Sequence, residues 1–266
     1  MKKKVGLGIL LLIEILCMVI VYLVKGQIAA WVWSGCIFLI APIATIGLIV
    51  QIVVGIVRTY KRKSIKWNTL YIVMTLIMAY PITILFGVSP LTYPVNGDTQ
   101  EAIKVINPVE ESILLGGKDY KTHAVWPSEC YAYDIVKEPY DVNSSELSDY
   151  GIYGADVYCP VAGTVIDLKD DEEDIAPNTE EFTSSLGNYI FIKVKETGTY
   201  IILAHLEKDS VKVSIGEEVT QGMLLAKVGN SGTTSEPHLH MQHQKDNPMN
   251  MSIPICAEGL PMQFVE

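Results

Sequence analysis

The sequence predicts two unlike halves: three N-terminal transmembrane α-helices, followed by an all-β outer domain built as a compact sandwich or barrel. Three observations point this way. Three apolar runs, each about long enough to span a bilayer as helix, fall before residue 93. Charge divides at the same place: residues 1–94 hold nine Lys or Arg and one acid, a net +8, whereas the rest hold 11 Lys, no Arg and 29 acids, a net −18. Beyond residue 105 the chain reads as short β-branched or aromatic runs punctuated by Gly, Asn and Pro.

The membrane region is expected over 1–92, with spans at about 5–24, 28–57 and 68–90. The first run, VGLGILLLIEILCMVIVYLV, is read as a retained span, because no A-x-A-like cleavage site follows it and a second span begins almost at once. Lys and Arg beside spans are retained in the cytoplasm. MKKK precedes the first span and RTYKRKSIK separates the second from the third, whereas only KGQ joins the first two. The N-terminus is therefore expected inside and the C-terminal domain extracytoplasmic, in a multi-pass protein of the cytoplasmic membrane. Pro42 and Pro81 mark kinks within spans. Glu14, an acid in mid-span, is a functional candidate by its cost in hydrocarbon; a protonated or helix-paired acid that only aids packing is the alternative.

A linker rich in turn formers is expected at 93–104 and the outer domain at 105–266. VYCPVAGTVIDL, GNYIFIKV, TYIILAHL and LLAKVG read as strands, and no helical period of comparable length follows residue 105. KDDEEDIAPNTEEFTSS, from Lys169, reads as an exposed, solvated loop and lacks the spaced acids and Gly of a calcium loop. The acidic balance argues against nucleic acid or anionic lipid as a partner of this half. Cys17 and Cys36 lie in spans, while Cys130, Cys159 and Cys256 allow at most one disulfide and form no zinc-finger tetrad.

Three of the five histidines fall in EPHLHMQHQ, residues 236–244. Strand alternation puts His238 and His240 on one face and Leu239 on the other. His243 falls opposite His238 and is expected at the surface. His205 ends the strand YIILAH, and His123 precedes YAYDI, which carries Asp134. A catalytic zinc needs three protein ligands with an open position, plus groups that move protons and hold a developing oxyanion. Two histidines and a carboxylate with two further histidines would supply that set; a pair of exposed or hydrogen-bonded histidines is the bland reading of His-x-His.

From about Asn107 to Gln244 the chain resembles the lysostaphin and LytM type of zinc metalloendopeptidase, bacterial enzymes that cut peptide bonds in peptidoglycan and share a compact β fold. The resemblance is carried by INPV, by His123 with YAYD, by GADVYCPVAGTV, GNYIFI and AHL, and by VKVSIGEEVTQGMLLAKVGNSGTTSEPHLH. It implies one Zn2+ per domain on His123, Asp134 and His240, with His205 and His238 as the unligated catalytic pair, and a peptidoglycan peptide as substrate. The commonest family form has three residues between the first His and the Asp, whereas ten separate His123 from Asp134. A branch with a longer insertion ending in Ala-Tyr-Asp is closer, though it often has Gln-Arg where Glu129 and Cys130 stand. Loops such as 138–152 and 169–186 are where bond specificity is expected to reside.

Ser231 in GNSGT is no nucleophile elbow, since Thr233 replaces the second Gly and no helix follows. Lys227 lies within a strand and not at a hairpin tip, unlike the modified Lys of lipoyl and biotinyl domains. The remaining rival is a catalytically inactive wall-binding module of the same fold that activates or scaffolds other hydrolases. Three spans exceed an anchor's needs and leave room for a membrane protein partner.

Overall fold

Long aliphatic runs, interrupted by one acid at Glu14, let the N-terminal part fold as long helices. The computed structural model describes residues 2–95, 102–116 and 120–265, in two units, Met1–Pro94 and Val95–Glu266. Of the expected linker, residues 96–101 lie outside the described residues.

In the first unit, α1 (Lys2–Val19) runs into a π-helical turn at Ile20–Val24. Lys25 and Gly26, with φ of 64° and 69°, break the helix before α2 (Gly26–Gly35). A second π-helical turn, Cys36–Ile40, leads into α3 (Ala41–Tyr60), and α4 (Lys66–Ala79) tightens to a 3₁₀ segment at Tyr80–Phe86. Both changes of pitch sit beside the expected kinks, because Pro42 and Pro81 each lack the N–H that a regular α-helix would use. Three helical stretches, Val5–Val24, Gly26–Tyr60 and Lys66–Phe86, are long and apolar enough to cross a membrane. Small residues such as Ala29, Ala30, Ala41 and Ala44 are buried alongside Trp33 and Ile37, while Leu12, Leu23, Ile43 and Ile46 face outward. The Asn68 amide on α4 donates to Gln51 O and Gln51 Oε1 on α3, at 2.9 and 2.8 Å. Gly55 permits that approach, since a Cβ there would lie 2.6 Å from Asn68 Oδ1. Glu14 Oε1 is buried without a hydrogen-bond partner among the described residues.

The second unit is rich in antiparallel β-structure. Its strands are β1 (Ile103–Val105), β2 (Ile113–Gly116), β3 (Tyr133–Val136), β4 (Asp156–Tyr158), β5 (Gly163–Lys169) and β6 (Asn188–Val194). They continue as β7 (Tyr200–Leu206), β8 (Glu218–Val219), β9 (Leu224–Lys227), β10 (Leu239–Gln244) and β11 (Met262–Phe264), with one short helix, α5 (Lys121–Ala124). Seven strands form one antiparallel sheet in the order β2-β3-β10-β7-β6-β5-β8, and β4-β9 and the parallel pair β1-β11 form two-stranded ribbons.

Alternation sorts the two faces of the sheet. Ile190 and Ile192 of β6, Ile201 and Leu203 of β7, and Leu239 and Met241 of β10 join ribbon residues such as Val105, Val157 and Leu225 in the main core. Phe191, Ile202 and Ala204 point the other way. Edges at β2 and β8 leave the sheet linear in order, and the covering layer on its core face is made of ribbons.

Two expectations are corrected. The segment from Lys169 is not simply a solvated loop, because its acids accept hydrogen bonds both from within the segment and from other loops. Buried Glu172 accepts from the Thr183 and Ser184 amides (3.0 and 3.1 Å) and from Lys169 Nζ (2.5 Å). Asp170 Oδ1 accepts from the Ser210 and Val211 amides (3.1 and 3.2 Å), and Asp174 Oδ1 from the Asn230 amide (2.5 Å). Nor is His243 at the surface. It does lie opposite His240, but that face is the covered one: His243 is 2% exposed, with Nδ1 donating to Pro261 O (3.2 Å) and Nε2 accepting from Thr199 Oγ1 (2.7 Å). Cys130, Cys159 and Cys256 are buried free thiols.

Burial holds the His243 imidazole down to about 4, well below its ordinary value. The folded state therefore binds its proton less readily than the unfolded chain. Its stabilising contribution is full above pH ~6.5 and is lost as pH falls toward 4, up to roughly 3 kcal/mol. Urea unfolding of the outer unit at pH 7 and pH 4 should show this loss, with a smaller pH dependence in His243→Gln.

Candidate active site

The strand order places the site. β10 lies between β3 and β7, so His240 sits directly opposite Asp134 on one side and Ala204 on the other. His240 Nδ1 is 3.2 Å from Asp134 Oδ1, and His123 Nε2, presented by α5, is 2.8 Å from the same oxygen. His238, just before β10, brings its Nε2 within 3.5 Å of that oxygen as well.

His205 arrives by a different route. Regular alternation along β7 would send it into the core after Ile201 and Leu203. The ladder with β6 skips it instead, pairing Tyr189 with Ala204 and Asn188 with Leu206, and His205 takes φ 63°. This left-handed bulge turns the ring to the Ile202 side, where it stands 4.8 Å from the His238 ring and 6.0 Å from the His240 ring, centroid to centroid.

Hydrogen bonds orient each ring. His205 Nδ1 donates to Ser231 O (2.7 Å) and His238 Nδ1 to Glu236 O (2.8 Å), which leaves each Nε2 for the site. His240 Nε2 donates to Gln242 Oε1 (3.0 Å), leaving Nδ1 bare; Gln242 in turn donates to Gln244 Oε1 (2.9 Å). Tyr120 donates its hydroxyl to Asp134 Oδ2 (3.0 Å), and His123 Nδ1 donates to Glu129 Oε2 (3.0 Å). The turn that holds His205 is itself fixed by close backbone approach. A Cβ on Gly187 would lie 2.3 Å from the Ser231 carbonyl, and one on Gly232 would lie 2.2 Å from Gly187 N.

Electrostatics follow from this packing. Burial works against ionised Asp134, yet His238, His123 and His240 hold it well below the usual carboxylate range. Burial also works against charge on His123, but hydrogen bonds with Asp134 and Glu129 outweigh it and lift the imidazole to about 9. Burial, reinforced by His238 and His240, holds His205 well below its ordinary value, so its ring is neutral at neutral pH. Burial and the Asp134 charge push the Tyr120 phenol up to about 12, so it remains a donor.

The donor atoms of His123, Asp134 and His240 lie within 4.8 Å of one another. Atoms bound tetrahedrally to zinc at ~2.0–2.1 Å are separated by roughly 3.3 Å, close to the two spacings from Asp134 Oδ1. With the His123 proton displaced by the metal, two imidazoles and one carboxylate, each with an outer partner, are a donor set that suits zinc. A cleft of about 500 Å³ opens beside them, lined by Leu186, Phe191 and Ile202 as well as by Gln242, Gln244 and Ile255.

Residues 149–251 match the sequence profile of peptidase family M23. Within the second unit, this match marks an M23 peptidase-family domain. The match contains His205, His238 and His240, while His123 and Asp134 precede it. No curated protein sequence matches the chain. Among solved structures, a candidate M23 peptidase of Pseudomonas aeruginosa is similar at 18% identity, with 57% of this chain and 49% of that chain covered and a TM-score of 0.35. Lysostaphin is similar at 18% identity over 44% of this chain and 37% of its own, with a TM-score of 0.30. A complex of SpoIIIAH and SpoIIQ contains a chain similar at 19% identity over 55% of this chain and 98% of that one, with a TM-score of 0.37. The chain thus spans about half of the first of these proteins and just over a third of the second.

The second unit brings together all five side chains singled out in the sequence, His123, Asp134, His205, His238 and His240. It also adds Tyr120, Glu129 and Gln242, which sequence reasoning missed. Gln242 could have been found by parity, two residues beyond His240 on one strand face. Tyr120 and Glu129 act through an irregular segment that has no period to read. Ser231 is fully buried, its hydroxyl donating to Leu206 O (2.7 Å) and accepting from the Asn188 amide (2.9 Å), so it is a turn residue.

Replacing His205 by Gly or by Ala deletes the same imidazole, but only Ala keeps a Cβ in the left-handed conformation. His205→Ala should therefore be the less stable variant by about 1 kcal/mol, read as a lower urea midpoint for the outer unit.

Proposed function

We propose that the M23 domain is a zinc-dependent endopeptidase that hydrolyses peptide bonds in peptidoglycan, with His123, Asp134 and His240 as zinc ligands and His205 and His238 as catalytic groups. The observation that carries this reading is the convergence of His123 Nε2, Asp134 Oδ1 and His240 Nδ1, with two more imidazoles turned Nε2-first toward them. Bound zinc supplies a Lewis acid that polarises the scissile carbonyl and acidifies water.

The chain's own groups supply the rest. His205 and His238 are locked in one tautomer by backbone carbonyls, so each presents an Nε2 that takes a proton and, once protonated, donates a hydrogen bond to a developing oxyanion. Tyr120 occupies the second oxygen of Asp134 and keeps the first directed at the histidines. The adjoining cleft is large enough for an extended peptide segment.

The apolar helices would hold this domain on the outer face of the cytoplasmic membrane, an orientation supported by the basic residues before the first helix and between the last two. The proposed boundaries are 1–92 for the membrane region, 93–104 for the linker and 105–266 for the peptidase domain. Three spans also leave room for a membrane protein partner, with Glu14 the first residue to substitute.

Zinc content and release of muropeptides from purified wall test the assignment together. His240→Ala should lose both, whereas His238→Ala should keep zinc and lose hydrolysis by roughly 10²–10⁴-fold; a chelator should silence the unmodified protein. Full wall hydrolysis by His240→Ala would sink the ligand assignment, and a zinc-free protein that binds wall without cutting it would favour the inactive module.

A further inference from the structure

We propose that Glu129 is a positioning residue of the metal centre: its carboxylate takes the Nδ1–H of His123 and so aims the Nε2 lone pair at the ligand position. This rests on the zinc-peptidase reading above. The segment between His123 and Asp134 is built to deliver that carboxylate. Backbone amides climb it in steps of three, from His123 to Tyr120 O, Trp126 to His123 O, Glu129 to Trp126 O and Ala132 to Glu129 O, at 3.2, 2.9, 3.1 and 2.7 Å. Three residues per turn eclipses every third side chain. Glu129, two such steps from His123, therefore returns to the His123 ring at 3.0 Å.

The staircase is held from outside. Gly259 donates its amide to Pro127 O at 3.1 Å, and a Cβ on Gly259 would come within 2.6 Å of that oxygen. The Cys130 thiol donates to the same carbonyl at 3.2 Å. The contact itself is unlike a surface ion pair, since the His123 side chain is 10% exposed and that of Glu129 29%.

A carboxylate behind a ligating imidazole fixes its tautomer and raises its basicity, and loss of such a partner typically weakens metal binding by about 10–100-fold. Glu129 on Nδ1 and Asp134 on Nε2 thus hold the His123 ring from its two sides. The extra residues between His123 and Asp134, which set this chain apart from the three-residue spacing, thereby acquire a role: they carry the outer partner of the first ligand.

The test is the zinc dissociation constant of the full chain in detergent micelles, measured by competition with a chromophoric chelator for the unmodified protein, Glu129→Gln and Glu129→Ala. Glu129→Ala should bind zinc about 10–100-fold more weakly, and Glu129→Gln, whose amide oxygen still accepts from Nδ1, should recover most of that loss. Should Glu129→Ala fail to fold, Glu129→Asp keeps the charge on a shorter arm and should show the same weakening. Zinc binding by Glu129→Ala within twofold of the unmodified protein would overturn the proposal, as would equal losses in the Gln and Ala variants. A change confined to KM for muropeptide, with zinc affinity intact, would overturn it too and make Glu129 a substrate contact. Failure of the unmodified protein to bind zinc would instead defeat the zinc-peptidase reading on which the proposal stands.

Discussion

Asp134 Oδ1 is the point on which the outer unit is organised. Three imidazole nitrogens approach it at 2.8, 3.2 and 3.5 Å, one from His123 and two from the His238–His240 stretch more than a hundred residues later. A carboxylate this deeply placed is tolerable only with opposite charge and hydrogen bonds around it. The strand order exists in a form that meets this need, because β10 next to β3 puts His240 on the carboxylate and β7 beyond it brings His205. What stabilises the ionised acid thus includes the two imidazoles, His123 and His240, that would share a metal with it.

Much of this was legible in sequence, and the reasons differ by element. The apolar runs of the membrane unit declare themselves by length alone. His238 and His240 could be put on one face because a strand alternates with period two, and β10 obeys that rule. His205 did not come from such a rule, since its strand breaks alternation with a bulge at the residue that matters; only its position at the end of YIILAH marked it. Glu129 was noticed as a departure from a motif, yet its contact depends on a run of turns with no hydrophobic period. His243 was put on the correct face and given the wrong surroundings, because a strand pattern cannot say whether its far face meets water or the loop that carries Pro261.

The acidic segment teaches a related point about charge. Asp170, Glu172 and Asp174 read as solvation, but each accepts from backbone amides, Glu172 within the segment itself and Asp170 and Asp174 from the loops at Ser210 and Asn230. Asp174 reaches the Asn230 amide, and Asn230 in turn donates to Ile175 O, so this segment braces the turn whose Ser231 carbonyl orients His205. Composition alone gives the sign of such a segment, and its partners are set by tertiary contacts far along the chain.

The central place of β10 bears on how the protein is made. Until that strand emerges from the ribosome, β2-β3 and the group β7-β6-β5-β8 have no shared neighbour, and His240, one of the three candidate metal donors, does not yet exist. Pairing of such distant segments is slow relative to local hairpins. A nascent chain therefore holds no complete set of candidate metal donors until β10, the last strand of the seven-stranded sheet in chain order, has been made.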